Sequence, residues 1–353
     1  MEGVRLLADS GKGRDFLDAV RPGRFLFSLV MSYTETCRIP GITIAGANPD
    51  AMQFTPPADA EYLHYGHCKV IEQIPMTPDG KPTPGLLTRA ALESAGIPHL
   101  AINAGSKIVP QLPFVETGLQ PGRDITSEDA MTGDQLTRAV DYGRMLGMRL
   151  ASLADCLVIG ESIPAGTTTA LAVLQALGFE ARVSSSIPEN PIDLKNKTAA
   201  AALERLGSKK PRDVVAAVGD PMIPLVAGML CAASKVSRVM LAGGTQMAAV
   251  LAFASSMGFC EENAAVVTTS YVADDPTANF AELMRSVADV PAAAVDPGLH
   301  KSKHAGLRAF AEGFAKEGVG AGGSIMSYML HTGGSPEKFL NAAETEYQRL
   351  TLQ

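Results

Sequence analysis

Short apolar runs recur along the chain, separated by stretches with helical spacing. FLFSLVM (Phe25–Met31), HLAIN (His99–Asn103), CLVIG (156–160), RVMLAG (238–243) and AAVVTTSYV (264–272) are mostly continuous rather than alternating. A continuous run suits a parallel strand covered on both faces, whereas alternation marks a strand with one wet face. The stretches between them carry helix punctuation. Thr132 and Gln135 form a capping box ahead of a helix through Leu153: the hydroxyl accepts from a free backbone N–H and the amide reaches back. Gly178 ends a helix that starts near Thr167. Asp220–Pro221, and again Ser335–Pro336, set a capping side chain before a proline in the first turn.

Alternating strands and helices imply right-handed crossovers and a parallel sheet. The pattern predicts a doubly wound, mostly parallel, Rossmann-like α/β domain over residues 21–310. Three helices and no strand are expected after His300. Residues 1–20 plus 311–353 are therefore expected to form a small helical domain. The loops 48–58 and 75–84 are rich in proline and read either as coverings of a site or as surface connections. Residues 239–260 carry no charge and are numerous enough to span a bilayer. Gly243, Gly244, Thr245 and Gln246 interrupt them, so a buried strand, a turn and a buried helix are expected instead.

Composition narrows the function. The 353 residues are 46% hydrophobic and 19% charged, an ordinary globular balance. The net charge of −7, without a basic block, argues against a nucleic-acid surface. Aromatics are 5% and Trp is absent, which argues against base-stacking platforms. Five widely spaced cysteines read as reduced thiols of a cytoplasmic protein. The N-terminal MEGVRLLADSGKGRDF has no apolar signal core.

Two segments carry candidate chemistry. GESIPAGTTTA (160–170) follows an apolar run and opens a helix. Small residues there let N–H groups at the positive helix end approach an anion. No Lys follows Gly166, so this is not a Walker loop, and Glu161 sits at the strand end where doubly wound sheets bind ligands. The bland alternative is a tight strand-to-helix turn. EGVGAGG (317–323) contains G-x-G-x-x-G, but helical spacing precedes it and no βαβ unit follows. It reads either as a helix–helix connection or as a glycine turn that brings a ligand against Glu317, a carboxylate suited to deprotonating a nitrogen heterocycle. Lys195 and Lys197, in DLKNK, read as phosphate contacts or as surface lysines. None of the six histidines falls in H-E-x-x-H, and no G-x-S-x-G elbow occurs.

In this order the segments resemble the nicotinate-nucleotide–dimethylbenzimidazole phosphoribosyltransferase family, over residues 83–330. EDAMTGDQ (128–135) is similar to its P-A-M-T-x-x-Q, GESIPAGTTTA to its glutamate-and-threonine loop, Asn196–Lys197 to an Asn-Lys before a helix, VGDPMIPLVAGML to its glycine-rich helix start, and EGVGAGGS to its E-G-(T/S)-G-A-A-L. Gly166 stands where the family has Asn, and Ala242, Gly243 and Gly244 replace its D-G-F. The first 80 residues match poorly.

The resemblance implies the same doubly wound fold, a homodimer, and no cofactor or metal. Its catalytic glutamate maps onto Glu317 and its second acid onto Glu161. Phosphate and ribose contacts map onto Gly160, Gly166, Thr167, Thr168, Lys197, Gly243, Ser302, Gly318 and Gly320, and the acceptor-base pocket onto Thr83–Pro84. The implied reaction is phosphoribosyl transfer from nicotinate mononucleotide to a benzimidazole-like base. The competing expectations are transfer to adenine or a phenol, and a nucleotide-binding regulator without turnover. An intact Glu317 favours catalysis.

Overall fold

The structure is a computed structural model that describes residues 1–8, 10–21, 23–46, 48–74, 76 and 81–351. Among the described residues eight strands, β1 (Val4–Ala8), β2 (Phe25–Met31), β3 (His99–Asn103), β4 (Val115–Glu116), β5 (Cys156–Ser162), β6 (Arg238–Ala242), β7 (Ala264–Thr269) and β8 (Ala292–Val295), form one sheet. Its order is β1-β8-β7-β6-β5-β2-β3-β4. Only β1 runs antiparallel, against β8; the remaining pairs are parallel.

Side chains of one strand serve both faces. In β5, Leu157 and Ile159 enter one apolar cluster while Cys156 and Val158 enter the other. That two-sided burial is why the runs read as continuous. The five apolar runs became β2, β3, β5, β6 and β7, although β7 stops at Thr269 and Ser270–Ala273 turns into a short helix. The capping box at Thr132 and Gln135 is present ahead of Gly133–Ala151. Asp220 Oδ1 accepts from the N–H groups of Met222 and Ile223 at the start of Met222–Ala233.

The uncharged stretch became β6 and the buried helix Gln246–Ser255. Among the described residues no helix is long and apolar enough to cross a membrane.

The chain ends meet at Gly3, where an added Cβ would lie 2.4 Å from Pro336 Cγ. They are not purely helical. Residues 4–8 extend the sheet as β1. The helix Ala321–Thr332 is buried, and its side chains join the cluster that covers one sheet face.

Candidate active site

The strand order reverses between β2 and β5: one half of the chain builds outward through β3 and β4, the other through β6, β7 and β8. Such a switch point leaves a crevice outside the carboxyl ends of the two strands. Here it is a cavity of about 690 Å³. Its walls come from the end of β5 (Glu161, Ser162), the helix start Gly166–Thr167, Ser184–Ser186, Gly244–Gln246 and the turn 315–319. Ile42, Ile44, Phe54, Ile71, Ile74 and Met76 add an apolar side. The stretch 48–58, expected as a loop, is helical from Met52, its prolines falling in the first turn of the helix Thr55–Tyr65, and it contributes Ala51, Phe54 and Thr55; of the loop 75–84, Met76, Thr83 and Pro84 line the cavity. Residues 75 and 77–80 lie outside the described residues.

Glycines bring the turn down onto the sheet. A Cβ on Gly322 would lie 2.3 Å from the Thr268 carbonyl carbon, and one on Gly323 would lie 2.3 Å from Ala242 Cβ. The helix Ala321–Thr332 thus sits directly on the ends of β6 and β7, with Glu317 at its approach. Ala165, Ala315 and Val319 are the non-glycine residues with positive φ among the described residues, at 60°, 48° and 55°. All three line the cavity. Local strain held by surrounding structure is a common feature of binding sites.

Glu317 accepts from the Thr269 N–H at 2.8 Å and the Thr268 hydroxyl at 3.2 Å, both through Oε2. Its Oε1 accepts from the Gly322 N–H at 3.1 Å and the Gly318 N–H at 3.3 Å. Withdrawal from water pushes its pKa up and these four donors pull it down; the balance lies at about 7. Glu161 is buried and pushed higher, to about 8, by desolvation first and then by the negative charges of Glu317, Asp220 and Asp59. The Val319 N–H donates to the Glu161 carbonyl at 2.9 Å, which ties the turn to β5.

Two lysines stand at or behind the cavity wall. Lys316 lines it and pairs with Asp275 at 2.7 Å. Lys195 is buried, and its Nζ donates to the Ser184 carbonyl at 2.7 Å. Burial, then the charge of Lys316, lowers the Lys195 pKa to about 7. Gly166 opens the helix Gly166–Ala176 beside this wall, so the positive helix end faces the same space.

Of the residues expected at the site, Glu161, Glu317, Gly166, Thr167, Gly318, Thr83 and Pro84 share this cavity. Six others stand elsewhere. Lys197 is exposed: on the helix Ile192–Glu204, Lys195, Thr198, Ala199 and Ala202 face inward, so Lys197 faces solvent. Gly160 and Gly320 face each other, a Cβ on Gly160 falling 2.8 Å from Gly320 Cα, and serve close packing rather than a ligand. Gly243 packs on Met247, and its neighbour Gly244 lines the wall. Thr168 is buried within the helix packing. Ser302 donates to Glu344 and caps the chain at His304. Asp59, Lys316 and Ser184–Ser186 line the cavity without having been singled out in the sequence.

The family model described as Phosphoribosyltransferase matches residues 90–278. A UPF0284 protein of Archaeoglobus fulgidus is 47% identical over 94% of this chain and 95% of its own. A UPF0284 protein of Sulfolobus acidocaldarius is 43% identical over 93% and 96%. Among solved structures, the nicotinate-nucleotide–dimethylbenzimidazole phosphoribosyltransferase of Thermus thermophilus superposes with a TM-score of 0.62 over 95% of this chain and 92% of that one, at 17% identity.

Proposed function

The chain belongs to the phosphoribosyltransferase family, and on that premise we propose that it transfers a phosphoribosyl group from nicotinate mononucleotide to 5,6-dimethylbenzimidazole or a similar base. The products are α-ribazole phosphate and nicotinate. The observation that carries this proposal is one cavity lined both by the paired acids Glu317 and Glu161 and by the start of the helix Gly166–Ala176, with Lys195 behind Ser184.

The donor's phosphate sits at the start of the helix Gly166–Ala176, beside Gly166 and Thr167, with Lys195 behind Ser184. Remote binding of this kind orients the sugar for reaction. The bond from the anomeric carbon to the pyridinium nitrogen breaks, and its electron pair leaves with nicotinate. A ring nitrogen of the acceptor forms the new bond to that carbon. Glu317, with its pKa near the operating pH, takes the proton from the acceptor's other nitrogen. Glu161 stays protonated at neutral pH, which keeps a second negative charge away from Glu317.

The test is incubation with nicotinate mononucleotide and a panel of bases, with nicotinate release as the readout. Release that depends on a benzimidazole supports transfer. Tight binding of the nucleotide without release under any base would make the protein a nucleotide-binding regulator instead.

A further inference from the structure

We infer that Asp59 is the positioning residue that holds the acceptor side of the cavity against the two glutamates; the assignment rests on the transfer reaction proposed above. Asp59 belongs to the helix Thr55–Tyr65 and is buried on the cavity wall. Its Oδ1 accepts from the Thr83 hydroxyl at 2.8 Å and its Oδ2 from the Ser162 hydroxyl at 2.7 Å. One carboxylate therefore joins three segments that are distant in sequence.

Each partner leads to a catalytic group. Ser162 follows Glu161 on β5. Thr83 Oγ1 also accepts from the Gly85 N–H at 3.2 Å and so fixes the turn that carries Pro84. Pro84 lies under Gly318, where an added Cβ would be 3.4 Å from Pro84 Cγ, and Gly318 donates to Glu317. Moving Asp59 would move the acceptor wall and both glutamates together.

Its chemistry is costly for a merely structural brace. Burial raises the Asp59 pKa to about 6 against the pull of the Ser162 and Thr83 hydroxyls. Burying a carboxylate is unfavourable, and the two hydroxyls that donate to it offset that cost only in part. Retaining a charge there fits a role at a reacting site. That charge also helps to keep Glu161 protonated.

The experiment is steady-state kinetics and a pH profile of Asp59→Asn, with nicotinate mononucleotide and dimethylbenzimidazole. Loss of the charged brace should raise the acceptor KM by about tenfold and leave donor binding within about twofold. It should also move the alkaline limb of the profile to lower pH, because Glu161 loses a negative neighbour. Unchanged acceptor KM, or equal losses for donor and acceptor with the limb unmoved, would overturn the assignment. If Asp59→Asn does not fold, Ser162→Ala removes one of the two hydroxyls, and an acceptor KM equal to wild type would overturn it likewise. Wild-type protein that releases no nicotinate with any base overturns the transfer reaction and Asp59's place in it together. That outcome is distinct from an active wild type matched by its Asp59 variant.

Discussion

Glu317 owes its pKa to a contest between dehydration and four hydrogen-bond donors, and the balance leaves it half ionised near neutrality. A base in that state is efficient, and its removal typically costs about 10² or more in rate. Glu317→Gln should lower kcat by about that factor with little change in donor binding; turnover within about threefold of wild type removes Glu317 from the role. The pH profile should be a bell. Its acid limb lies near 7, where Glu317 ionises, and its alkaline limb near 8, where Glu161 does; the two values belong to the coupled pair. Stability has the matching sign. A carboxyl whose folded pKa lies above its unfolded value contributes stability that is complete below about 4.5 and is lost as pH rises through its folded pKa. The melting temperature of wild type should therefore fall more between pH 5 and pH 8.5 than that of Glu161→Gln, which cannot ionise there; parallel curves would contradict the buried, protonated Glu161. Both glutamates were legible in the sequence, one from its strand end and one from its glycine turn. Asp59 was not, because Thr83 and Ser162 lie 24 and 103 residues away and nothing local marks the contact.

At the scale of elements, legibility followed the strength of the local pattern. Two-sided strands and side-chain caps announced themselves. β8 did not, because AAAV has no β-branched signal before its last residue and alanine favours helices. β1 is a partly buried edge strand whose place depends on pairing with β8. The helix Ile192–Glu204 shows how a small rotation changes a site. Lys195 and Lys197 are two positions apart, which is about 200° around a helix, and of the two only Lys195 turns inward. Lys195→Met should weaken nicotinate mononucleotide by about tenfold and leave nicotinate riboside, which lacks the phosphate, nearly unaffected. Lys197→Ala should change neither. Equal weakening of both ligands by Lys195→Met would remove that lysine from the phosphate site.

Across the whole molecule, the reversal of strand order places the cavity, and the chain fills it from regions that share no sequence neighbourhood. The fold class was legible because periodicity is a local property summed over many elements. The apolar side of the cavity was not, since Ile42, Phe54, Ile71 and Met76 lie in the first 80 residues, where the match to known motifs is poor. The proposed donor carries one phosphate, for which the start of the helix Gly166–Ala176, with Lys195 behind Ser184, is the proposed seat. A pyrophosphate sugar would instead call for Mg²⁺, which is usually held by one or two carboxylates plus substrate phosphates. The decisive measurement is formation of the N-ribosylated base phosphate, followed by mass, with nicotinate mononucleotide or phosphoribosyl pyrophosphate as donor, in excess EDTA and in Mg²⁺. Transfer from the mononucleotide should produce it in EDTA, with one nicotinate released per product. Product that forms only from the pyrophosphate and only with Mg²⁺ would contradict the donor, the reaction and the role given to the helix start at Gly166.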